Sequence, residues 1–472
     1  MTRFARALAC TLVLLGAPRV LNAQSRRPDQ IEARAIFAEL IGINSTDEHG
    51  ATTPAAQAVA RWLRGAGFPA RDVQVVGPNP ARMNVVARLR GTRVRKPILL
   101  LAHLDVVEAR RADWTVDPFT LTEKDGFFYG RGTSDIKDMG AIFVETLLRM
   151  KREGFAPDRD IILALTAGEE GGDDNGVQWL LAHRRDLIDV VYCINGDGGD
   201  PLSHAGKPYA RDVQASEKVY MDLRLEVHNP GGHSSLPVAD NAIYRLAAAL
   251  THLAAFQFPA RLNQVTRAYF ERAAAAADSP EVTKDMGLVA AGDTAAMRRQ
   301  SQASPFFNAQ LRTTCVATRL EGGHANNALP QTASAVVNCR MLPDERKEDV
   351  LAALRGVLAD TAVTLTVAQE PVPSPPSPLT PEVLQPIERL TASIWPGAAV
   401  VPSMETGATD GLYLRNAGIP VYGVSGVPLD VDDIRAHGRD ERIRVEAFYA
   451  GLDYMSALVR ALASQEPPPA KP

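Results

Sequence analysis

Three apolar runs of the chain each end in acidic or imidazole residues. The runs are Pro97 to Ala102, Asp160 to Ala167 and Asp189 to Asn195. The polar residues that follow them are His103, Asp105, Glu169, Glu170 and Asp197. Near-continuous apolar runs of this length are typical of strands covered on both faces, as in a mostly parallel sheet flanked by helices. Such sheets bind ligands beyond the carboxyl ends of their strands, so these side chains are predicted to meet around a divalent metal ion.

The rest of the pattern predicts an α/β fold of two domains. The larger domain, a mostly parallel sheet with helices, is predicted over residues 24–212 and 372–463, with one more strand from Leu412 to Val424. A smaller α+β (ferredoxin-like) domain is predicted over residues 213–371, because its strands and helices follow the order βα-ββ-αβ. The second of its strands is expected over Gln310 to Arg319, after a mostly helical insertion at residues 258–307.

Length and composition limit the class of protein. A chain of 472 residues is too long for one average domain. It is 46% hydrophobic and 22% charged, with a formal net charge of -4. That balance leaves no basic stripe of the kind that nucleic-acid-binding proteins carry, so no nucleic-acid partner is expected.

The first residues have the pattern of a secretory signal peptide, predicted over residues 1–23. Arg3 and Arg6 precede the apolar stretch Ala7 to Ala17, and Ala23 offers a cleavage point. The stretch is too short to span a bilayer. We therefore expect an exported protein, periplasmic or secreted, with no membrane attachment after signal removal. The tail, residues 464–472, is expected to be disordered.

Cysteine usage leaves one question open. Without Cys10 in the signal segment, the chain keeps Cys193, Cys315 and Cys339, an odd number that is not a disulfide framework. Cys315 and Cys339 lie in two predicted strands that a simple hairpin would bring together. A disulfide between them is compatible with export, but two buried thiols are the expectation here.

Each candidate motif is weak alone. A lone H-x-D, such as His103-x-Asp105, is usually a capped turn, and a Glu-Glu pair is usually solvated. Asp135 could simply cap the helix that follows it. Glu169 and Glu170, however, directly follow a predicted buried strand, where bare charges are costly unless they are paired or metal-bound.

Taken together, the motifs resemble the co-catalytic zinc amidohydrolases of metallopeptidase family twenty. That family includes aminoacylases, acetylornithine deacetylase, succinyl-diaminopimelate desuccinylase, glutamate carboxypeptidases and dipeptidases. The matching segments, in the family's order, are LLLAHLDVV (Leu99 to Val107), YGRGTSDIKD (Tyr129 to Asp138), TAGEEGG (Thr166 to Gly172), INGDGG (Ile194 to Gly199), NPGGHSSLP (Asn229 to Pro237), ANNALPQTASAVVNCR (Ala325 to Arg340), TGATDGLYLRNAGIPVYG (Thr406 to Gly423) and AHGRDERI (Ala436 to Ile443).

The resemblance implies a metal centre with two Zn²⁺ ions per chain, with Co²⁺ or Mn²⁺ accepted by similar ligands. Asp135 would bridge the two ions. His103 and Asp197 would complete one site, and Glu170 and His437 the other. Two further acidic residues would support the centre: Asp105 would hold an imidazole in its metal-binding tautomer, and Glu169 would be the general base on the bridging water.

The resemblance also implies substrate contacts from the smaller domain, which would act as a lid and form a homodimer. His233 would reach the active site, often from a partner subunit, although a turn histidine without such a role is the alternative. Asn327 and Arg340 would hold a substrate carboxylate, for which the planar guanidinium is suited. Arg340 could instead be a surface strand residue. Asp410 lies in a family motif without an assignable role.

The function expected from these features is that of an exported zinc exopeptidase, of the carboxypeptidase or dipeptidase kind. It would cleave an amide bond next to a free carboxylate in a short peptide. The alternative is an N-acyl-amino-acid amidohydrolase, which Arg340 and Asn327 would serve equally well. A non-catalytic peptide-binding homologue is the third hypothesis, and the intact ligand positions and Glu169 disfavour it. The insertion at 258–307 resembles the longer-lid, exported branch of the family.

Overall fold

The computed structural model describes residues 26–171, 174–276 and 279–464. The predicted signal peptide and almost all of the predicted disordered tail therefore lie outside the described residues. The helices are α1 (Pro28–Ile41), α2 (Thr53–Gly65), α3 (Lys137–Arg152), α4 (Gly176–His183), α5 (Arg185–Ile188), α6 (Ala242–Ala255), α7 (Gln264–Ala276), α8 (Pro280–Ala290), α9 (Thr294–Ala303), α10 (Pro305–Leu311), α11 (Lys347–Leu358), α12 (Pro381–Ile394), α13 (Gly411–Asn416) and α14 (Val445–Ala463). None of these helices combines the length and the apolar character that crossing a membrane requires.

The strands form two main sheets and two small ones. They are β1 (Val73–Val76), β2 (Asn84–Leu89), β3 (Ile98–His103), β4 (Thr122–Lys124), β5 (Phe127–Tyr129), β6 (Ile161–Thr166), β7 (Tyr192–Asn195), β8 (Pro201–His204), β9 (Lys207–Glu217), β10 (Val219–His228), β11 (Gly232–His233), β12 (Thr314–Gly322), β13 (Ala328–Leu329), β14 (Thr332–Met341), β15 (Thr364–Gln369), β16 (Ala399–Glu405), β17 (Val421–Gly423), β18 (Leu429–Asp430) and β19 (Arg442–Arg444).

The large sheet has the order β1-β2-β6-β3-β7-β17-β9-β8-β18, and β16 pairs with β9. Its centre, β6-β3-β7-β17, is parallel, which confirms the predicted mostly parallel α/β sheet. Leu99 and Leu101 pack on one face, in a core that includes residues of α4, α5 and α13. Leu100 and Ala102 point to the other face, in a core shared with α1, α3 and α14. The three apolar runs are buried on both faces for this reason.

The second sheet has four antiparallel strands in the order β12-β14-β10-β15. Helices α6 and α11 contribute to its apolar core. Chain order and strand order together are those of a ferredoxin-like α+β unit. We call this unit the lid. The predicted lower bound of the lid, residue 213, falls inside β9, which belongs to the large sheet through Glu217.

The helical insertion contacts the large sheet. Gln310, at the end of α10, donates to the main-chain oxygen of Met404 in β16 at 2.7 Å. Arg272 of α7 pairs with Glu388 of α12 at 2.6 Å. Val265 belongs to the same apolar core as the large sheet. The insertion therefore braces the edge of the larger domain formed by β9 and β16.

Some predicted elements differ from the structure. Leu412 lies in α13, and β17 covers only Val421–Gly423 of the strand predicted from Leu412 onward. Gln310 lies in the last turn of α10, which ends at Leu311, so β12 begins later than predicted, at Thr314. The segment of β9 carries the charged residues Arg211, Asp212 and Glu217, so the sequence pattern did not predict a strand there. The second half of this strand is mostly buried. In each case tertiary packing outweighs the local pattern.

The expectation of two buried thiols in the lid was wrong. Cys315 and Cys339 form a disulfide. They are direct partners in the antiparallel pairing of β12 with β14, and their Cα atoms lie 4.1 Å apart. Directly opposed positions on two such strands bring side chains within bonding reach. Cys193 is a free, buried thiol in β7.

Candidate metal centre and active site

The predicted ligands lie together at the carboxyl edge of the large sheet. His103 is the last residue of β3, Glu170 follows β6, and Asp197 follows β7. Asp135 comes from the loop before α3, and His437 from the loop between β18 and β19. Two sets of ligand atoms each fall within 4.8 Å: those of His103, Asp135 and Asp197, and those of Asp135, Glu170 and His437. These are the two sets that the resemblance to the known family implies.

The carboxylate of Asp135 lies between two imidazoles. Its Oδ1 is 3.1 Å from Nε2 of His103, and its Oδ2 is 2.9 Å from Nε2 of His437. The same His437 nitrogen is 3.0 Å from the carboxylate of Glu170. One carboxylate with an oxygen directed to each side is the arrangement that a ligand shared between two ions requires.

The charges of the cluster fit a pair of divalent ions. Burial and the neighbouring charge of Asp197 raise the pKa of Glu169 well above its usual value. Burial also raises the pKa of Asp197, with repulsion from Asp135 adding to the effect. Hydrogen bonds to Asp135 and Glu170 raise the pKa of His437 to about 10. Among these residues the carboxylates outnumber the imidazoles. Bound cations would offset the resulting surplus of negative charge. Oxygen and imidazole donors are those that Zn²⁺, Co²⁺ and Mn²⁺ accept.

Asp105 supports the centre in a different way from the predicted one. Nδ1 of His103 lies 2.9 Å from the main-chain carbonyl oxygen of Asp105, so this nitrogen donates its proton to that oxygen and Nε2 is the atom that faces Asp135. The carboxylate of Asp105 instead accepts the main-chain N–H of Glu170 at 2.8 Å. The tautomer is thus held by the backbone, and the side chain positions the neighbouring ligand.

A buried network that the sequence did not reveal holds the loop carrying Glu169. Asn175 Nδ2 donates to the carboxylate of Asp410 at 2.6 Å and to the carbonyl oxygen of Gly168 at 3.0 Å. Thr166 donates to the other oxygen of Asp410 at 3.1 Å. Gly168 has φ +71°, and a Cβ there would meet a main-chain oxygen at 2.7 Å. Asp410, whose role was unassigned, therefore helps to fix the turn before Glu169. Asn175 had no signal in the sequence beyond its place at the N-cap of α4.

Two cavities flank the ligand cluster. One, of about 640 Å³, is lined by Glu169, Glu170 and Asp410 from the large domain and by Tyr220 and Arg340 from the lid. The other, of about 450 Å³, is lined by the predicted ligands Asp135, Asp197 and His437 and by both apolar and charged side chains. The apolar ones include Phe127, Ile136, Val427, Leu429, Ile434 and Ile443, and the charged ones are Asp138, Asp200, Glu405, Asp430, Asp433, Arg442 and Arg444. We call them the lid-side cavity and the apolar cavity. Glu170 lines the first cavity, and Asp135, Asp197 and His437 line the second.

Arg340 places a guanidinium group at the lid-side cavity. Its guanidinium lies over the ring of Tyr220, 4.5 Å from the centroid. Its Nε donates to Asn338 at 3.3 Å. Among the described residues the two terminal nitrogens have no hydrogen-bond partner. The aromatic face and the amide hold the group so that its fork remains available to a carboxylate.

His233 and Asn327 lie elsewhere. Tyr220 pairs with Arg340 at one end of the lid sheet, and His228 pairs with Thr332 at the other. Eight residues of strand separate these ends, about 26 Å. His233 and Asn327 lie beyond the far end, where both are exposed and line neither flanking cavity.

Comparison with known proteins identifies the family of this chain. The sequence model of Peptidase family M20/M25/M40 matches residues 99–461. The chain belongs to the M20 peptidase family. Family M20 is a family of hydrolases, and the two ligand sets lie inside the matched region.

Related proteins include enzymes acting on acylated amino acids. The N-fatty-acyl-amino acid synthase/hydrolase PM20D1 of Xenopus tropicalis is 30% identical over 386 residues, 79% of this chain and 74% of that protein. Aminoacylase-1 of Mus musculus is 25% identical over 443 residues, 91% of this chain and 94% of that protein. An M20 family metallo-carboxypeptidase from Sulfolobus solfataricus has the same fold, with a TM-score of 0.67, 16% identity, and coverage of 92% of this chain and 99% of that one.

Proposed function

We propose that this M20 hydrolase uses two divalent metal ions to cleave an amide bond next to a free carboxylate. The observation that carries the proposal is the pair of ligand sets sharing Asp135. His103 and Asp197 would complete one set, and Glu170 and His437 the other. When bound, the ions supply an activated water and an electrostatic partner for developing negative charge.

Glu169 is the proposed general base. It lies beside Asp197 and Glu170 and lines the lid-side cavity, so it faces the space where the substrate amide would lie. Burial raises the pKa of Glu169, which makes its carboxylate a stronger base for taking a proton from water before the acid returns that proton to the leaving amine. Asn175 and Asp410 keep the preceding turn in place during this transfer.

We propose an N-acyl amino acid as the substrate. Arg340 would bind its carboxylate in the lid-side cavity, and the acyl group would enter the apolar cavity, where Phe127, Val427 and Leu429 form part of the wall. Asp430 and Asp433, which also line this cavity, are paired with arginines, so these two carboxylates do not require a cationic substrate group. The likeness to an N-fatty-acyl-amino acid synthase/hydrolase supports this choice.

A short peptide with a free carboxyl terminus is the second candidate, as the sequence alone favours. Its α-ammonium group would need an acidic partner, and Glu405 in the apolar cavity has no ion-pair partner among the described residues. A substrate panel separates the two candidates. It would compare N-acetyl and N-lauroyl amino acids with the matching dipeptides, using zinc-loaded and chelated protein. Faster turnover of the acylated series supports the first candidate, and faster turnover of dipeptides the second.

The same panel tests the base and the catalytic hypothesis. Glu169→Gln is expected to lower kcat by about 100-fold or more, since a positioned acid–base group contributes about 10² to 10⁴. Its metal content should equal that of the wild type. Absence of hydrolysis across the panel by metal-loaded wild type would favour the non-catalytic, peptide-binding alternative.

We propose further that the protein is a homodimer joined through the lid, with His233 and Asn327 serving the partner's active site. Both lie far from the cavities of their own chain, as described above. The edge strand β12 exposes Val316 and Leu320 at 60% and 68%, an apolar edge that a second copy would cover. Mixing inactive His233→Ala and Asp135→Ala variants should restore part of the activity if the site is shared. Mixed dimers without activity would contradict the shared site.

We propose that the protein is exported and that residues 1–23 are removed as a signal peptide. The disulfide between Cys315 and Cys339 supports this, because such bonds persist in oxidising compartments. N-terminal sequencing of the protein recovered from the periplasm or the medium is expected to begin at Gln24. An intact amino terminus on cytoplasmic protein would contradict export.

A further inference from the structure

A buried ion pair joins the two loops that carry Asp135 and His437. Arg131 lies in the loop with Asp135, and Glu441 lies in the loop with His437. Their side chains form a salt bridge, and the two residues are only 2% and 0% exposed. A buried pair is costly unless its remaining donors and acceptors are satisfied, so the other partners indicate what the pair does.

Each member of the pair holds the backbone of the opposite loop. Glu441 Oε1 accepts the main-chain N–H of Ser134 at 2.8 Å and of Asp135 at 3.3 Å. Arg131 Nη2 donates to the carbonyl oxygens of His437 and of the next residue, at 3.3 and 3.1 Å. Each of the two side chains thus bonds to the main chain of the opposite loop, at the proposed metal ligand and at the residue next to it.

Apart from the ion pair, the contacts that hold the His437 loop lie near its two ends. Strand β18 ends at Asp430 and β19 begins at Arg442, so His437 lies in the irregular segment between them. His437 has φ +62°, and its side chain is half exposed. Asp433 pairs with Arg442 at 2.7 Å, and Arg442 itself pairs with Tyr129 in β5. Asp440 accepts from the main-chain N–H and the hydroxyl of Thr115 at 2.8 and 3.0 Å, so these contacts hold the ends of the loop. The indole of Trp114, whose ring centroid is 5.1 Å from the guanidinium carbon of Arg131, covers the ion pair.

We propose that Arg131 and Glu441 are positioning residues that set the separation of Asp135 and His437. They thereby determine the affinity for the metal ion held by Asp135, Glu170 and His437. The other ligand set takes His103 and Asp197 from the ends of β3 and β7, so it depends less on the His437 loop. This inference rests on the two-metal assignment proposed above.

The test is a calorimetric titration of metal-free protein with Zn²⁺. For the wild type, two binding events per chain are expected. In Glu441→Ala, one event is expected to weaken by about 10- to 100-fold, the usual effect of removing a group that orients a metal ligand. The other event should weaken less, because His103 and Asp197 come from strand ends and only the shared Asp135 is disturbed. Glu441→Gln keeps an acceptor for the two amides, so its loss should be smaller.

Arg159 offers a matched control. It is also a buried arginine paired with a glutamate, Glu382, but it lies at the opposite end of β6 from Glu170. Arg159→Ala should lower the melting temperature of the metal-free protein and leave both Zn²⁺ affinities unchanged. In His437→Ala, which has already lost the affected site, adding Glu441→Ala should lower the remaining affinity no more than Glu441→Ala lowers it in the wild type.

The possible outcomes are distinguishable. A wild type that binds fewer than two Zn²⁺ ions would contradict the two-metal assignment and this inference with it. A wild type with two sites, together with a folded Glu441→Ala that keeps both affinities, would overturn the inference alone. Should Glu441→Ala fail to fold, Glu441→Gln and Arg131→Lys decide the question, and wild-type affinities in both would overturn it.

Discussion

The imidazole of His103 is oriented by the backbone of Asp105, since Nδ1 of the ring lies 2.9 Å from the carbonyl oxygen of that residue. The carboxylate of Asp105 is thereby free for another task, and it accepts the main-chain N–H of Glu170 at 2.8 Å. One residue thus connects the two proposed metal sites, through its main chain to one and through its side chain to the other.

Replacement of the Asp105 side chain should therefore affect the two sites unequally. Asp105→Ala is expected to weaken the metal site of Glu170 and His437 by about 10- to 100-fold. The site of His103 should change less, because the orienting carbonyl remains. Competition with a chromophoric chelator measures both affinities. Asp105→Asn, which keeps an oxygen acceptor, is the control, and loss of the His103 site alone in Asp105→Ala would contradict the assignment.

Arg340 should determine recognition of the substrate carboxylate. Arg340→Lys is expected to raise KM for an N-acyl amino acid by about 10-fold, because lysine cannot form the paired contacts of the guanidinium fork. The matching N-acyl amino acid amide should be hydrolysed poorly by wild type and variant alike. Steady-state kinetics on this substrate pair check the prediction. Tyr220→Phe, which keeps the ring beneath Arg340, serves as the control. An unchanged KM in Arg340→Lys would place the carboxylate elsewhere.

The disulfide should stabilise the lid. The Cys315→Ala/Cys339→Ala variant is expected to lose about 3 kcal/mol of unfolding free energy, since the disulfide closes a loop between residues that are 24 positions apart in sequence. Denaturant titration of both proteins gives the difference. Peptide mapping without reduction should recover Cys315 and Cys339 as one linked pair and Cys193 as a thiol. Equal stability of the two proteins would show that the bond constrains little.

Lys218 should make the stability pH-dependent in the alkaline range. Burial lowers the pKa of Lys218 to about 7, with the opposing charge of Glu345 and the like charge of Arg340 nearby. Between about pH 7 and its unfolded value of about 10.4, the unfolded chain binds more protons than the folded one. The unfolding free energy should therefore rise with pH there, by at most about 1.4 kcal/mol per pH unit. The rise is lost as pH falls toward 7.

The difference between wild type and Lys218→Met isolates this contribution. The ammonium group donates to the carbonyl oxygen of Arg312 at 2.8 Å, so the variant also loses a hydrogen bond at every pH. Denaturation at about pH 7, 8 and 9 should show the wild type gaining stability relative to the variant. A constant difference across that range would mean that Lys218 stays charged when buried.

The sequence predicts the centre of the fold well because the three apolar runs are buried on both faces of the sheet. The same runs deliver His103, Glu170 and Asp197 to one edge, as their positions after the strands indicate. Asp135 and His437 come from loops, so only the resemblance to a known family associated them with the site. The β9 strand escaped prediction because buried charges such as Arg211 and Glu217 are satisfied only by distant partners, including Arg415 for Glu217.

Supporting contacts were the least predictable part of the site. The bonds of Asn175 to Asp410 and Gly168 depend on side-chain geometry that spacing does not encode. The role of Asp105 shows the same limit, because main-chain and side-chain oxygens of one residue are indistinguishable in a sequence. The disulfide was misjudged because the exact pairing of β12 with β14 was unknown.

Metal content of the ligand variants tests the central claim most directly. Purified wild type, Asp197→Ala, His437→Ala and Asp135→Ala would be loaded with Zn²⁺, desalted and measured by plasma mass spectrometry. Because Asp135 belongs to both ligand sets, we predict about two ions in the wild type, about one in each of the Asp197 and His437 variants, and far less than one in Asp135→Ala. A folded Asp135→Ala protein that retained two ions would contradict the shared-ligand centre.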